Sequence, residues 1–156
     1  MKKMISMTLA VAMTMSLLAG CGSNSASTES ASGGDTFKIG GIGPVTGGAA
    51  IYGQAVKNGA ELAIKEINEA GGINGYQIEY NFQDDEMDNE KSVNAYNTLK
   101  DWGMDILVGA VTSGCCVAVA AESQNDNLFQ ITPSGSSVDC INGNENVFQV
   151  CFTDPN

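Results

Sequence analysis

Three hydroxyls and one phenol carry the polar chemistry that this chain can aim at a small ligand. Ser113 stands before Gly114-Cys115-Cys116-Val117-Ala118-Val119-Ala120-Ala121, a run of small residues suited to a helix packed closely on a sheet. A serine at a helix start lies beside backbone N–H groups that have no intrahelical acceptor. Hydroxyl and amides together make a site for an anion the size of a carboxylate. Ser134 and Ser136 belong to Thr132-Pro133-Ser134-Gly135-Ser136-Ser137, a polar loop whose backbone and hydroxyls can take an ammonium group or complete a carboxylate cage. Tyr52, within the Gly-rich stretch from Pro44 to Gly53, offers an aromatic wall. The same residues also read as an ordinary N-cap and an ordinary turn, and spacing alone leaves both readings open.

Composition narrows the chemistry. The 156 residues include 18 acidic side chains against 7 basic ones, all lysine, and no histidine, for a formal charge of −11. So acidic a surface disfavours nucleic acid and anionic lipid, which need a basic patch. Without histidine there is no Ser-His or Cys-His nucleophile pair, and the commonest zinc ligand is missing. An enzyme would have to work with carboxylates or lysine; none is expected, nor any cofactor. The acidic run Asp84-Asp85-Glu86-Met87-Asp88-Asn89-Glu90 lacks the glycine and the closing glutamate of a calcium loop in register. It reads as a solvated strand end, and no metal is expected there. Five cysteines are present. Cys115 and Cys116 are adjacent, which strains any bridge between them, so buried thiols are expected. Cys140 and Cys151 flank the segment Ile141 to Val150 and are the candidate disulfide in an exported protein.

An alternation of strands and helices must position these loops. Phe37 to Gly43 reads as a strand ended by Pro44. The helix after it carries Val56, Ala60, Ala63, Ile64 and Ile67 on one face and stops at Gly71-Gly72. Tyr76 to Phe82 alternates as a second strand. Asp88 caps a helix running to Trp102, with Glu90 in its first turn and Val93, Tyr96, Leu99 and Trp102 as its buried seam. Asp105 to Ala110 reads as a doubly covered strand, Leu128 to Ile131 as a fourth and Asn146 to Val150 as a fifth. The order predicts an α/β fold, a doubly wound parallel sheet with right-handed crossovers. Such sheets bind ligands beyond the carboxyl ends of their strands, which is where the three loops with Tyr52, Ser113 and Ser134–Ser136 fall. With no helix after the fifth strand, the sheet near Phe148 and Val150 is expected to be uncovered on one face.

The wording of the chain is more specific than its periodicity. From about Lys38 to Asn156, through "IGPVTGGAAIYGQAVKNGAELAIKEINEAGGINGYQIE", it resembles the branched-chain amino-acid binding proteins of bacterial ABC importers, which have the two-lobed type I periplasmic-binding-protein fold. The resemblance implies that residues 37–156 are the first lobe, truncated, with the second lobe absent. It implies a solute-binding component that captures a small amino acid and hands it to ABC permease subunits. A ligand-sensing receptor domain is the alternative, since one fold serves both. In the resembled family, a "TSG"-like turn and an "ITPSGSS"-like loop grip the ligand's α-carboxylate and α-amino group. Those positions correspond to Ser113, Ser134 (mainly through backbone) and Ser136, with Tyr52 near the side-chain pocket. The start of the chain adds an address. Lys2 and Lys3 precede an apolar run, and Leu18-Ala19-Gly20-Cys21 looks like the lipobox of bacterial lipoproteins. Residues 1–20 are then a lipoprotein signal peptide, Cys21 carries the lipid anchor, and the Ser/Gly-rich residues 21–36 are a flexible tether. The implied location is extracytoplasmic, held on the bacterial membrane.

Overall fold

The computed structural model describes residues 36–155; the leader, Cys21 and nearly all of the tether lie outside the described residues. Strand β1 (Phe37–Gly43) leads to helix α1 (Ala50–Glu69), then β2 (Ile78–Asp84), α2 (Asn89–Trp102), β3 (Ile106–Val108), α3 (Ser113–Asn125) and β4 (Gln130–Thr132). A 3-10 turn (Val138–Cys140) precedes β5 (Val147–Gln149). The five strands form one sheet in the order β2-β1-β3-β4-β5, and every pairing is parallel. The chain therefore winds outward one way from β1 to β2, crosses back to β3 and continues to β5. The reversal puts the loops after β1 and β3 at the crevice where such sheets take ligands.

Helix boundaries follow local chemistry. The Asp88 carboxylate accepts the Lys91 amide at 2.9 Å and starts α2, and Gly103 ends it in the left-handed conformation (φ 86°) that a side chain would strain. The buried stripe of α2 is Ser92, Ala95, Tyr96 and Leu99, with Val93 and Trp102 only half-buried. Thus Tyr96 and Leu99 lie in the core as the spacing predicts, while the seam as a whole turns slightly toward Ser92 and Ala95. Helices α2 and α3 pack against each other over one face of the sheet. Between them and the strands lies the core: Ile42, Leu99, Met104, Leu107, Cys116 and Val119 among others.

Helix α1 buries its apolar face only in part: Val56, Ala60 and Ile64 are half-buried and Ala63 and Ile67 exposed, and Gly53 is the one fully buried residue of the helix. It lies on β1 and β2, on the face opposite α2, with no neighbouring helix among the described residues. A helix touching only a sheet covers a narrow stripe, so its flanks stay wet. The same face is open farther along. Phe129 and Phe148 stack at 5.0 Å between ring centroids, and Phe148 remains 48% exposed beside the still more exposed Val150. The uncovered patch expected around β5 is present.

Candidate functional site

Ser113, Ser134 and Ser136 come together at the carboxyl ends of β3 and β4. Ser113 is the first residue of α3, and Thr112 before it is the N-cap. The Ser113 hydroxyl is therefore not spent on its own helix. It accepts the backbone N–H groups of Ser136 (3.1 Å) and Ser137 (3.2 Å), stitching the serine loop to the start of the helix. The proton of that hydroxyl is left to point elsewhere. Ser134 turns its hydroxyl to the Val111 carbonyl at 2.7 Å, which leaves its backbone facing the loop. Ser136 donates its hydroxyl to Asp154 Oδ2 at 2.8 Å, and the Asp154 amide returns a bond to the Ser136 carbonyl at 2.9 Å.

The loop between them is held from beneath. The Thr132 hydroxyl donates to the Ala110 carbonyl (2.8 Å) and accepts the Gly135 amide (2.9 Å), and Gln149 Nε2 donates to the Gly135 carbonyl (2.6 Å). A side chain at Gly135 would run into the Thr132 hydroxyl at 2.7 Å, so only glycine lets the loop settle this close to β4. The result is a rigid, half-buried rim of amides and hydroxyls above the first turn of α3, whose amides are unpaired within the helix.

Tyr52 belongs to a different connection, the one after β1. It lies in the first turn of α1, 63% exposed, and its hydroxyl makes no hydrogen bond among the described residues. Its loop is fixed by Asp84, which spacing did not single out. Asp84 accepts the Val45 amide (2.9 Å), the Thr46 hydroxyl (2.6 Å) and the Glu86 amide (3.0 Å). Its burial works to raise the carboxyl, but the hydrogen bonds, led by that of Thr46, hold it below the usual aspartate range.

The acidic run is solvated from Glu86 to Glu90, as its composition suggests, but one residue departs from that reading. Asp85 is fully buried, with Oδ1 accepting the Met87 amide at 3.0 Å and Oδ2 unpartnered. Beside it lie the Cys115 thiol and, against that thiol, Ser92 and the Thr112 hydroxyl. The turn from β2 into α2 explains the burial: Asp85 accepts the Asp88 amide through its carbonyl and so faces inward. Burial pushes its carboxyl above the ordinary range. A carboxyl raised on folding favours the folded state while protonated, and that contribution is lost as pH rises from about 3.9 through the raised folded value. The stability of wild type relative to Asp85→Asn should therefore fall as pH rises through that window, because the amide keeps the Met87 bond and does not titrate. Urea midpoints of both proteins across the window test this; a constant difference would mean that Asp85 does not titrate abnormally.

The four cysteines among the described residues are free thiols, and Cys115 and Cys116 are both buried as expected. The Cys140 and Cys151 pair stands unbridged. Cys140 is buried against α3, while the half-buried Cys151 directs its thiol to the Gly135 carbonyl at 3.4 Å.

This geometry has relatives. A family description of periplasmic binding proteins matches residues 36–156. The chain is 38% identical over 117 residues to Leu/Ile/Val-binding protein homolog 3 of Brucella melitensis, a match covering 74% of this chain and 32% of that protein. It is 38% identical over 103 residues to the leucine-, isoleucine-, valine-, threonine- and alanine-binding protein of Pseudomonas aeruginosa, covering 66% and 28%. The crystal structure of the branched-chain amino acid transporter substrate-binding protein LivJ of Streptococcus pneumoniae, in complex with isoleucine, superposes with a TM-score of 0.73 at 32% identity, covering 76% of this chain and 34% of that one. The chain thus spans about a third of the length of the relatives it matches. Its parallel five-stranded sheet with flanking helices corresponds to the first lobe of the type I fold, and the chain belongs to the periplasmic binding protein family.

Proposed function

We propose that this chain is the ligand-gripping first lobe of an extracytoplasmic solute-binding protein that captures a small amino acid, branched-chain in type, for delivery to an ABC permease. The observation that carries the reading is the junction at Ser113, where one hydroxyl fixes two amides of the serine loop over a helix N-terminus. Beside the unpaired first-turn amides of α3, that junction supports a carboxylate-sized site on the strand ends where this fold takes ligands. The names of the relatives supply the amino-acid class. Capture works by binding, with no covalent step: a second lobe, for which the relatives' greater length leaves room, closes over the rim and excludes water. Calorimetric titration of leucine, isoleucine and valine into a chain extended to the relatives' length tests this. Saturable binding of at least one of them is expected, with weak or undetectable binding by the 156-residue chain, which offers half a cleft. Absence of binding to all three by the longer chain would sink the reading.

Delivery to a permease calls for a station at the membrane. The sequence Leu18-Ala19-Gly20-Cys21 after a basic-apolar leader supports acylation of Cys21, with the tether letting the lobe reach its partner. Wild type should fractionate with membranes and Cys21→Ala should not; a variant still found in the membrane pellet would refute the anchor.

A further inference from the structure

We propose that Cys116 and Cys140 form a disulfide in the exported protein, tying the first turns of α3 to the 3-10 turn that closes the serine loop. Both side chains are wholly buried, and they converge on one spot. The position that a Cβ on Gly135 would take is 3.4 Å from Cys116 Cβ and 3.2 Å from Cys140 Sγ. The two thiols lie close enough for each to perturb the other's ionisation. Around them, Gln130 Nε2 donates to Cys116 Sγ at 3.6 Å, and Cys140 Sγ reaches the Ser113 carbonyl at 3.8 Å. The remaining cysteines have other neighbours, although Cys151 is near enough to Cys140 to raise its thiol. Cys115 faces Asp85, Ser92 and Thr112, and Cys151 faces the Gly135 carbonyl. Cys116 and Cys140 are the two wholly buried thiols that converge on Gly135.

The location of the family makes oxidation available. Extracytoplasmic compartments sustain disulfides that the cytosol would reduce. The step is an exchange: an acceptor disulfide, on a thiol oxidoreductase or a small molecule such as oxidised glutathione, is attacked first by one cysteine thiolate. The mixed disulfide so formed is resolved by the second. One Sγ–Sγ bond forms, the acceptor's S–S bond breaks, and two protons and two electrons leave the protein with the acceptor's two thiols. Timing follows from burial. In the folded lobe the Cys116 thiol is pushed up to about 12 and the Cys140 thiol is also raised, both chiefly by desolvation. Thiolate is then scarce, so the bond forms while the chain is still open and its thiols titrate ordinarily, near 8.5. Once closed, no sulfur of the pair is exposed to a reductant. The bridge is a resident brace for the serine loop, independent of whatever the loop binds.

The test is a peptide map. The protein is refolded in a glutathione redox buffer, alkylated without reduction and cleaved after acidic residues. Cleavage at Asp105, Glu122, Asp139, Glu145 and Asp154 separates the Cys115–Cys116 peptide from the Cys140 peptide and both from the Cys151 peptide. The expected product joins the Cys116 peptide to the Cys140 peptide, lighter than their sum by two hydrogens, with Cys151 alkylated. It should persist in Cys115→Ser and vanish in Cys116→Ser. Should Cys116→Ser not fold, fragmentation between Cys115 and Cys116 in wild type assigns the sulfur directly. A Cys140–Cys151 link, a link through Cys115, or complete alkylation of all four would each overturn the proposal. Because the readout is covalent mass, its failure and a failure of the amino-acid reading are told apart.

Discussion

Gly53→Ala should destabilise the protein by about 2–4 kcal/mol, the opposite of what this exchange does in an ordinary helix. A Cβ built at Gly53 lies 1.9 Å from the Pro44 carbonyl oxygen and 2.6 Å from its carbon. Those are backbone atoms of a residue whose φ is locked, at the end of β1, so no side-chain rotation relieves the contact. Either α1 lifts off β1 or the loop from Pro44 is displaced, and Tyr52 moves with it. Gly59, six residues further along α1, has nothing within 4 Å of its added Cβ. Gly59→Ala should therefore stabilise, by about 0.5–1 kcal/mol, through helix propensity alone. Urea unfolding of the two variants beside wild type makes the comparison internal. If both substitutions shift the midpoint upward, α1 does not approach Pro44 as closely as the structure has it.

Gly53 also shows where reading by periodicity reaches its limit. The strand Phe37–Gly43 and the order of alternating elements were legible, because β1 ends at a proline, α1 runs into Gly71-Gly72, and α2 has its Asp88 cap and Gly103 stop. The buried face of α1 was not. Apolar spacing says which residues could face a core, and whether a core is there depends on neighbours that α1 lacks among the described residues. Asp85 failed for a related reason. Composition weighs a run of acids as one solvated block, whereas the turn at Asp85 to Asp88 faces one carboxylate inward and leaves the next to cap a helix. That the three serines come together was legible, since hydroxyls after consecutive parallel strands must share a rim. Their division of labour was not, because nothing in the spacing says that Ser113 holds the Ser136 and Ser137 amides, or that Asp154 would reach back to Ser136.

That division of labour sets the size of the largest expected binding effect. As a single ligand contact, the Ser113 hydroxyl would contribute about 1–1.5 kcal/mol, and Ser113→Ala would weaken binding about tenfold. In the structure the same oxygen also satisfies the amides of Ser136 and Ser137. Its removal leaves both without that acceptor and frees the loop that the ligand's polar groups need in place. We expect Ser113→Ala to weaken branched-chain amino-acid binding by about 2–3 kcal/mol, some 30- to 150-fold. Part of this should appear as a lower unfolding midpoint without ligand. Ser134→Ala is the contrast. Its hydroxyl is committed to the Val111 carbonyl, so it should cost stability of about 1 kcal/mol while leaving affinity nearly unchanged. Ser136→Ala falls between, since it cuts one bond to Asp154 and leaves the Ser136 amide on Ser113. Calorimetry on a chain of the relatives' full length, paired with thermal unfolding of each variant, separates contact from scaffold. A ranking in which Ser134→Ala loses more affinity than Ser113→Ala would place the ligand on the other side of the loop and move the site from the α3 N-terminus.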